Sequence, residues 1–366
     1  MSRDRDERFM HQALMLARKG YGRTSPNPMV GALLVKSGRV IGEGWHKRAG
    51  APHAEIEAIR AAANPKGATL YVTLEPCSTV GRTPPCVEAV KAAGIRRVVV
   101  AASDPNPVHI GRAFRQLRSA GVAVSKGVLA SEASELNAAF GHWIVNTTPL
   151  VTVKAAMTLD GRIATAGGES KWITGPAARR HGQLLRKGSD AILVGINTVL
   201  ADDPGLRVKG KLKSRPLRRI ILDSRARTPL AAKILNDELA HATTVVVTRD
   251  APERRADAIA KKANVLISPV RKGSVDLRWL LKRLGREEIT NLLVEGGGEV
   301  NASFLQGGLA HRVAFFYAPK ILGGNDARRA VGGAGARSLG EVLELENVGW
   351  SRIGADLLLT ARIAGA

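Results

Sequence analysis

His53-Ala54-Glu55, then Glu75-Pro76-Cys77, then Pro84-Pro85-Cys86 is the stretch on which the reading of this chain turns. One histidine and two cysteines form the ligand set of a zinc ion that keeps its fourth position open. Cys77 and Cys86 are the only cysteines in the chain, and each follows a proline. A structural zinc site needs a fourth protein ligand, and no third cysteine is present to supply it. Two thiolates and a neutral imidazole leave the site near neutral, so a water in the open position becomes acidic enough to react at neutral pH. Glu55, two residues past the histidine and not itself a ligand, is placed to carry that water's proton.

Taken singly, these residues have plainer readings. A histidine at a helix start is usually a surface or capping residue, and a glutamate in a first turn complements the helix dipole. Two cysteines nine apart are ordinarily core residues. Their combination favours the metal. A His-x-Glu triplet followed by two proline-flanked cysteines is the pattern of zinc deaminases, in which the glutamate serves as acid and base.

Outward from this stretch, strands alternate with helices. Glu7–Lys19 has helical spacing in Phe9, Ala13, Leu14, Leu16 and Ala17. Val30–Val35 and Val40–Trp45 read as strands joined by the turn Lys36-Ser37-Gly38-Arg39. His53–Ala63 is helical and stops at Asn64-Pro65-Lys66-Gly67. Thr69–Leu74 is a strand running into the first cysteine, and Pro84-Pro85-Cys86 opens another helix. Arg97–Ala102, Gly111–Ala120 and Val122–Val124 follow as strand, helix and strand, and Ser131–Val145 is expected as one closing helix.

Asn146-Thr147-Thr148-Pro149 is polar and ends in proline, which sets a domain boundary: 1–148 and 149–366. Beyond it, Leu150–Ala156, Ala191–Val194, Arg219–Leu222, Thr243–Val247, Val265–Ile267, Asn291–Val294 and Val313–Phe316 are apolar runs of strand length. Helical stretches at Pro176–Lys187, Leu277–Leu284 and Val300–Gln306 lie between several of them. The class is α/β with a largely parallel sheet. Leu343–Val348 and Asp356–Ile363 read as an antiparallel pair, and Lys209–Arg218 and Asn325–Leu339 as exposed loops.

Composition bounds the function. The chain has 366 residues, enough for two cores, and is 45% hydrophobic. No apolar run is long enough to span a membrane, and the charged start Met1–Arg8 has no apolar core of a secretory signal. Two cysteines make no disulfide framework, so a cytoplasmic protein is expected. The formal net charge of +23 invites a nucleic-acid reading, but aromatics are only 4%, poor for base stacking, and the cations are spread along the chain. An anionic small-molecule substrate, with no nucleic acid and no membrane, fits better.

The span Thr73-Leu74-Glu75-Pro76-Cys77-Ser78 with Gly81-Arg82-Thr83-Pro84-Pro85-Cys86 resembles the deaminase domain of the bifunctional riboflavin-biosynthesis deaminase/reductases. Other nucleobase deaminases usually close the cysteine gap to Cys-x-x-Cys, whereas the eight-residue gap here is similar to this family. Pro26-Asn27-Pro28-Met29-Val30-Gly31, Gly42-Glu43-Gly44-Trp45-His46 and Asp104-Pro105-Asn106-Pro107 match as well. The resemblance implies a three-layer, cytidine-deaminase-like first domain. It implies hydrolytic loss of the exocyclic 2-amino group of 2,5-diamino-6-ribosylamino-4(3H)-pyrimidinone 5′-phosphate. It assigns Zn²⁺ to His53, Cys77 and Cys86, catalysis to Glu55, and substrate contacts to Asn27, His46 and Arg82. Two positions depart from the family: Thr79 stands where a histidine usually follows Cys-Ser, and His109-Ile110 where Val-Ala usually precedes Gly-Arg-Gly.

Val294-Glu295-Gly296-Gly297-Gly298-Glu299-Val300-Asn301 follows a strand and opens a helix. Glycines let a backbone approach a phosphate, and a helix N-terminus favours its charge. The pattern stops short of Gly-x-Gly-x-x-Gly because Asn301 holds the last position, so by itself it reads equally as a tight turn. Lys154–Arg162, Ser170–Thr174 and Gly195–Pro204 are similar to the reductase domain of the same family, and the resemblance covers nearly the whole chain. It implies a dihydrofolate-reductase-like fold, NADPH as cofactor, and a hydride delivered to C1′ of the opened ribose. Carried over by position, Ala156, Trp172, Thr198, Asp202, Ser224, Gly297, Gly298, Glu299, Val300, Asn301, Ala302 and Ser303 contact NADPH. Ser170, Arg186, Leu206, Lys209 and Glu295 contact the substrate, and Lys154 and Asp160 lie near the reacting end. Lys209 stands where the family usually has arginine, which removes a bidentate phosphate grip. A homo-oligomer is also expected from the resemblance.

A second class of function, a zinc tRNA deaminase with a basic accessory domain, is motivated by the charge, and a third, a catalytically dead scaffold, by Thr79. The cysteine gap and the second domain argue against the former, and the intact His53, Glu55, Cys77 and Cys86 against the latter.

Overall fold

The computed structural model describes residues 3–79, 84–209 and 216–365. The chain divides into two compact units, Met1–Thr147 and Thr148–Ala366.

In the first unit, β1 (Gly31–Lys36) and β2 (Arg39–Trp45) form the hairpin expected, and its turn residues Ser37 and Gly38 both have positive φ. Turns of that type match the right-handed twist of the strands they join. β3 (Thr69–Leu74) pairs antiparallel with β1, and β4 (Arg97–Ala102) and β5 (Ala123–Lys126) add in parallel, giving the order β2-β1-β3-β4-β5. Successive strand residues point to opposite faces. Ala32, Leu34, Leu70, Val72, Val98 and Val100 therefore pack on one side against α2 (Ala54–Ala61), α3 (Cys86–Ala92) and α4 (Arg112–Ser119). Leu33, Val35, Tyr71, Val99 and Ala101 pack on the other against α1 (Arg3–Arg18) and α5 (Ala130–Leu136). The result is three layers.

The closing helix expected over Ser131–Val145 is two helices, α5 and α6 (Ala138–Asn146), parted at Asn137. Asn137 is drawn away from helical geometry because its side chain takes both backbone groups of Met29: the Met29 amide donates to Oδ1 at 2.7 Å and Nδ2 donates to the Met29 carbonyl at 2.9 Å. A short polar side chain that bonds backbone competes with the helix ladder. Here it anchors the Asn27-Pro28-Met29 loop.

The second unit is built on a nine-stranded sheet. From one edge its strands are Asn264–Ser268, Thr243–Thr248, Arg218–Leu222, Ala191–Gly195, Asn291–Val294, Leu150–Thr158, Arg312–Ala318, Asp356–Ile363 and Leu345–Ile353. All pairings are parallel except the last two. Helices Leu277–Arg286 and Gly298–Leu305 cover one face through Leu280, Leu284, Phe304 and Leu305. Helix Pro176–Gly188 covers part of the other through Ala178, against Ala314 and Phe316.

The last strand pair is antiparallel as expected, but its first member runs to Ile353 rather than stopping at Val348. Gly354, at φ +68°, makes the tight turn that extends the hairpin. Asn325–Leu339, expected as an exposed loop, is partly tied down: Arg328–Arg329 pairs with Arg162–Ala164, and Ala327 and Ala330 are buried. The Lys209–Arg218 expectation falls largely on 210–215, outside the described residues. Leu217 is buried and Arg218 begins a strand. No described helix is long and apolar enough to cross a membrane.

Candidate functional site

Helix α2 rests directly on the backbone of β2. A Cβ at Gly44 would lie 2.2 Å from the Ala54 carbonyl oxygen, and one at Gly42 2.3 Å from that of Ala58. Glycine at both positions is what lets the helix come so close. His53 caps this helix from an extended conformation, and Glu55 sits in its first turn, only 3% exposed. Cys86 is the first residue of α3, so both helix N-termini converge on one point. Cys77 follows β3, and the Cys86 amide donates to its sulfur at 3.2 Å.

His53 Nδ1 lies 3.2 Å from Cys86 Sγ and 3.5 Å from Cys77 Sγ, and all three donor atoms fall within 4.8 Å of one another. Ligands at ordinary Zn–N and Zn–S distances and tetrahedral angles are about 3.5–3.8 Å apart. The spacing and the soft donor set both fit zinc, with Nδ1 as the imidazole ligand. The Cys77 thiol is lowered to about 4, first by the hydrogen bond from Cys86 and then, against its burial, by His53 and the Cys86 amide. Cys86 is pushed up by the same sulfur–sulfur bond and by burial. Burial likewise raises the Glu55 carboxyl.

His46 is 2% exposed, and its ring stands edge-on to that of His53 with centroids 5.3 Å apart. Its Nδ1 lies 3.2 Å from the Pro52 carbonyl oxygen, which can only accept, so Nδ1 carries the proton. Nε2 then accepts from Asn27 Nδ2 at 3.1 Å. Burial lowers the His46 pKa and keeps the ring neutral, as this arrangement needs. Asn27 is thereby held with Oδ1 free for a ligand. Asn27, His46, His53, Glu55, Cys77 and Cys86 are thus brought together. Arg82 lies outside the described residues.

Glu75, quoted in the motif but given no role by sequence, is a clamp. Its buried carboxylate accepts the amides of Asp104 (3.2 Å), Gly111 (3.0 Å) and Ala113 (3.1 Å). It ties the Asp104–Gly111 loop and the start of α4 to the residue two before Cys77. His109 lies on that loop, half-buried, with Nδ1 buried and without a hydrogen-bond partner among the described residues. A glutamate directly after the strand-length run Thr69–Leu74, before the proline of the cysteine motif, was the available signal.

In the second unit, Glu295 follows the strand Asn291–Val294. Arg186, on helix Pro176–Gly188, grips it bidentately, Nε to Oε1 at 2.8 Å and NH2 to Oε2 at 2.9 Å. Lys154 Nζ lies 3.6 Å from Oε2. Burial pushes the Glu295 pKa up, but the Lys154 and Arg186 charges prevail and hold it at about 2. Arg186 NH1 also reaches the Arg207 carbonyl at 3.3 Å, which brings the Leu206 loop to this cluster, and the Lys209 amide donates to Gln183 Oε1 at 3.0 Å. Ser170 Oγ donates to Asp202 Oδ1 at 3.0 Å, and exposed Trp172 carries the Arg179 guanidinium over its ring.

Other expected positions are placed less directly. Asp160 accepts from Thr158 Oγ1 and from the Leu322 and Gly323 amides, so its carboxylate anchors a loop. Ala156 shares the sheet face of Lys154, two residues along the strand. Thr198 lies on the short helix Ile196–Asp202, and the Ser224 carbonyl accepts from Thr248.

At the start of helix Gly298–Leu305, a Cβ on Gly298 would lie 2.5 Å from the Arg329 oxygen and one on Gly296 2.6 Å from Val300 Cβ, whereas one on Gly297 would meet nothing within 4 Å. No side chain caps this helix, and the space beside Gly297, where a Cβ would sit, is open. A dinucleotide pyrophosphate fits such a cradle. Farther along, Asn301 and Ala302 are buried, Ser303 Oγ is spent on the Glu299 carbonyl, and the Glu299 carboxylate turns to the Gly333 amide.

Residues 149–359 match the model of the RibD C-terminal domain, and residues 3–102 that of the cytidine and deoxycytidylate deaminase zinc-binding region. The chain is 45% identical over 360 residues to the riboflavin biosynthesis protein RibD of Aquifex aeolicus, covering 98% of this chain and 99% of that protein. It is 42% identical to that of Escherichia coli, covering 97% and 98%. Among solved structures, Acinetobacter baumannii RibD superposes with a TM-score of 0.88 at 37% identity, covering 99% of this chain and 100% of that one. A diaminohydroxyphosphoribosylaminopyrimidine deaminase/5-amino-6-(5-phosphoribosylamino)uracil reductase from Thermotoga maritima does so at 0.85 and 34%, covering 99% of each.

Proposed function

The chain belongs to the RibD family of bifunctional deaminase/reductases of riboflavin biosynthesis, and from that premise we propose which residues carry each reaction. The first unit is cytidine-deaminase-like with a zinc-binding site, and the second is a reductase of the dihydrofolate-reductase type. The substrate of the first reaction is the diaminopyrimidinone ribosyl phosphate named by the Thermotoga relative's activity, and that of the second is its deaminated product.

In the deaminase, His53 Nδ1 and the two thiolates would hold Zn²⁺, which would supply the Lewis acidity that activates a water at neutral pH. Glu55 would take one proton from the water and give it to the ring nitrogen, then take the second from the new C–OH and give it to the amine, which would leave as ammonia. Its burial favours that work, since a carboxyl with a raised pKa both accepts and releases a proton readily. Asn27 presents Oδ1 to a donor on the pyrimidine, because His46 holds the amide's other end. Arg82 neutralises substrate charge.

In the reductase, NADPH supplies the hydride. The amides beside Gly297 would hold its pyrophosphate, and Asp202, Trp172, Ala156, Thr198 and Ser224 would contact the rest of the dinucleotide, while Ser170, hydrogen-bonded to Asp202, would contact the substrate. Arg186, Glu295 and Lys154 bind the opened ribosyl chain, with Leu206 against it and Lys209 toward the phosphate. Lys154, with Nζ 3.6 Å from Glu295 Oε2, would give a proton to the nitrogen on C1′ as hydride reduces the C=N bond of the opened ribosyl chain. The proposal includes a cytoplasmic homo-oligomer that acts on anionic small molecules and not on nucleic acid.

The observation that carries the reading is the His53–Cys77–Cys86 cluster with buried Glu55 on one unit and the lysine–glutamate–arginine cluster beside an open glycine cradle on the other. The test is loss of NADPH absorbance with the diaminopyrimidinone ribosyl phosphate. Loss that vanishes in Glu55→Ala and returns when the deaminated intermediate is supplied supports both halves in order. Absence of NADPH loss with either compound defeats the reductase assignment.

A further inference from the structure

Arg219 is the largest fully buried side chain in the second unit, set in the apolar strand Arg218–Leu222. All five of its N–H groups are used. Nε donates to Thr243 Oγ1 at 3.0 Å, NH1 to the Gly205 carbonyl at 2.9 Å, and NH2 to the Ile234 carbonyl at 3.0 Å. The remaining two meet the Asp237 carboxylate as a fork, at 2.7 and 2.8 Å. Asp237 Oδ2 accepts a further bond from Arg207 Nε at 3.1 Å. A buried ion pair costs about as much in desolvation as it gains, and an apolar pair of similar volume is often as stable. Stability alone does not account for a guanidinium here. What it does is set geometry.

The geometry concerns Leu206. It lies between the two residues that the pair holds, is 4% exposed, and has φ +46°, a conformation that costs a non-glycine residue energy and persists only where its surroundings impose it. On the other side, Arg186 NH1 holds the Arg207 carbonyl at 3.3 Å while its Nε and NH2 hold Glu295. The loop Gly205-Leu206-Arg207 is therefore fixed by one guanidinium from within the sheet and by another from the substrate cluster.

We propose that Arg219 and Asp237 are a positioning pair for the reductase substrate, locking the Leu206 loop in its left-handed form against Arg186 and so setting the ribosyl-binding wall opposite Glu295. The inference rests on the reading of Arg186, Leu206 and Glu295 as the substrate site. Neither member of the pair touches substrate.

The test compares full-length wild type with the double variant Arg219→Met/Asp237→Leu, which replaces the ion pair by apolar groups of similar size. The expected result is a cooperative melt close to wild type, with KM for the deaminated intermediate raised ~10- to 100-fold, as small misplacements of binding groups do. KM for NADPH and the deaminase rate stay unchanged, and amide exchange increases locally over residues 205–209. Arg219→Lys covers the case in which the double variant does not fold. It keeps the charge beside Asp237, but three donors on one nitrogen cannot replace the five-bond fork, and the same KM split is expected. A wild-type KM for the intermediate in either folded variant overturns the proposal. Wild type that reduces no intermediate overturns the site reading and the proposal together, and is thereby told apart from failure of the pair alone.

Discussion

Asn27 Nδ2 lies 3.1 Å from His46 Nε2, and the far nitrogen of that ring lies 3.2 Å from the Pro52 carbonyl. A carbonyl on one side decides which way an amide points on the other. The buried ring transmits the choice because only one neutral tautomer satisfies both contacts.

Asn27→Asp tests this relay. A carboxylate cannot donate to His46 Nε2, and it turns an acceptor toward an acceptor beside the metal site. Deaminase kcat/KM should fall ~10- to 100-fold, the range for a lost hydrogen bond that leaves a buried partner unsatisfied. Reductase activity on the intermediate should be unchanged. A deaminase rate within twofold of wild type would show that the Asn27 amide does not need its donor.

Separation of the two chemistries gives the next prediction. A strong zinc chelator, or Cys86→Ser, should abolish deamination and leave NADPH oxidation with the intermediate intact, because the zinc ligands belong to the first unit alone. Glu55→Gln should stop deamination while metal analysis still returns one zinc per chain. Loss of zinc from Glu55→Gln would instead make the glutamate part of the metal's support.

Acid should weaken the second unit through Glu295. Its pKa is held at about 2 against an ordinary 4.5 because the Lys154 and Arg186 charges outweigh burial. A depressed carboxyl stabilises the fold above its unfolded pKa, and that contribution is lost as pH falls from 4.5 toward 2. In Arg186→Met the carboxylate stays buried with only Lys154 as its ion-pair partner, so the variant should lose ~3–5 kcal/mol at neutral pH. Its acid transition should move to higher pH. Denaturant melts at pH 7 and pH 4 measure both effects, and equal slopes against pH for variant and wild type would refute the coupling.

Much of this was legible in residues whose chemistry is local. His53, Cys77 and Cys86 announce a metal by type and spacing, and the structure brings their donor atoms within 4.8 Å. The strands are legible as short apolar runs because both faces of the sheet are covered, as Leu33 and Leu34 on opposite faces of β1 show. What was not legible depends on distant partners. The break at Asn137 is made by Met29, more than a hundred residues away, and no helical period contains it. The Asp160 carboxylate accepts the amides of Leu322 and Gly323, partners more than 160 residues away that no local pattern names. Glu75 and Arg219 each put a charge into an apolar strand context, which marks them as unusual, but only their carbonyl and amide partners reveal what they hold.

Neighbouring glycines separate cofactor binding from folding. A methyl at Gly298 would press to 2.5 Å of the Arg329 oxygen, so Gly298→Ala should strain the helix start and lower the melting temperature together with activity. A methyl at Gly297 meets nothing within 4 Å, and the residue's φ of −75° suits alanine. Gly297→Ala should therefore melt like wild type. On the proposed reading its methyl would nonetheless stand between the helix amides and the cofactor's pyrophosphate, and a group that blocks bonds to a charged ligand forfeits ~1.5–3 kcal/mol for each. KM for NADPH should rise at least ~10-fold, with the deaminase untouched. A Gly297→Ala protein with normal stability and normal NADPH affinity would move the cofactor's phosphates away from this helix and toward the Ile196–Asp202 end of the sheet.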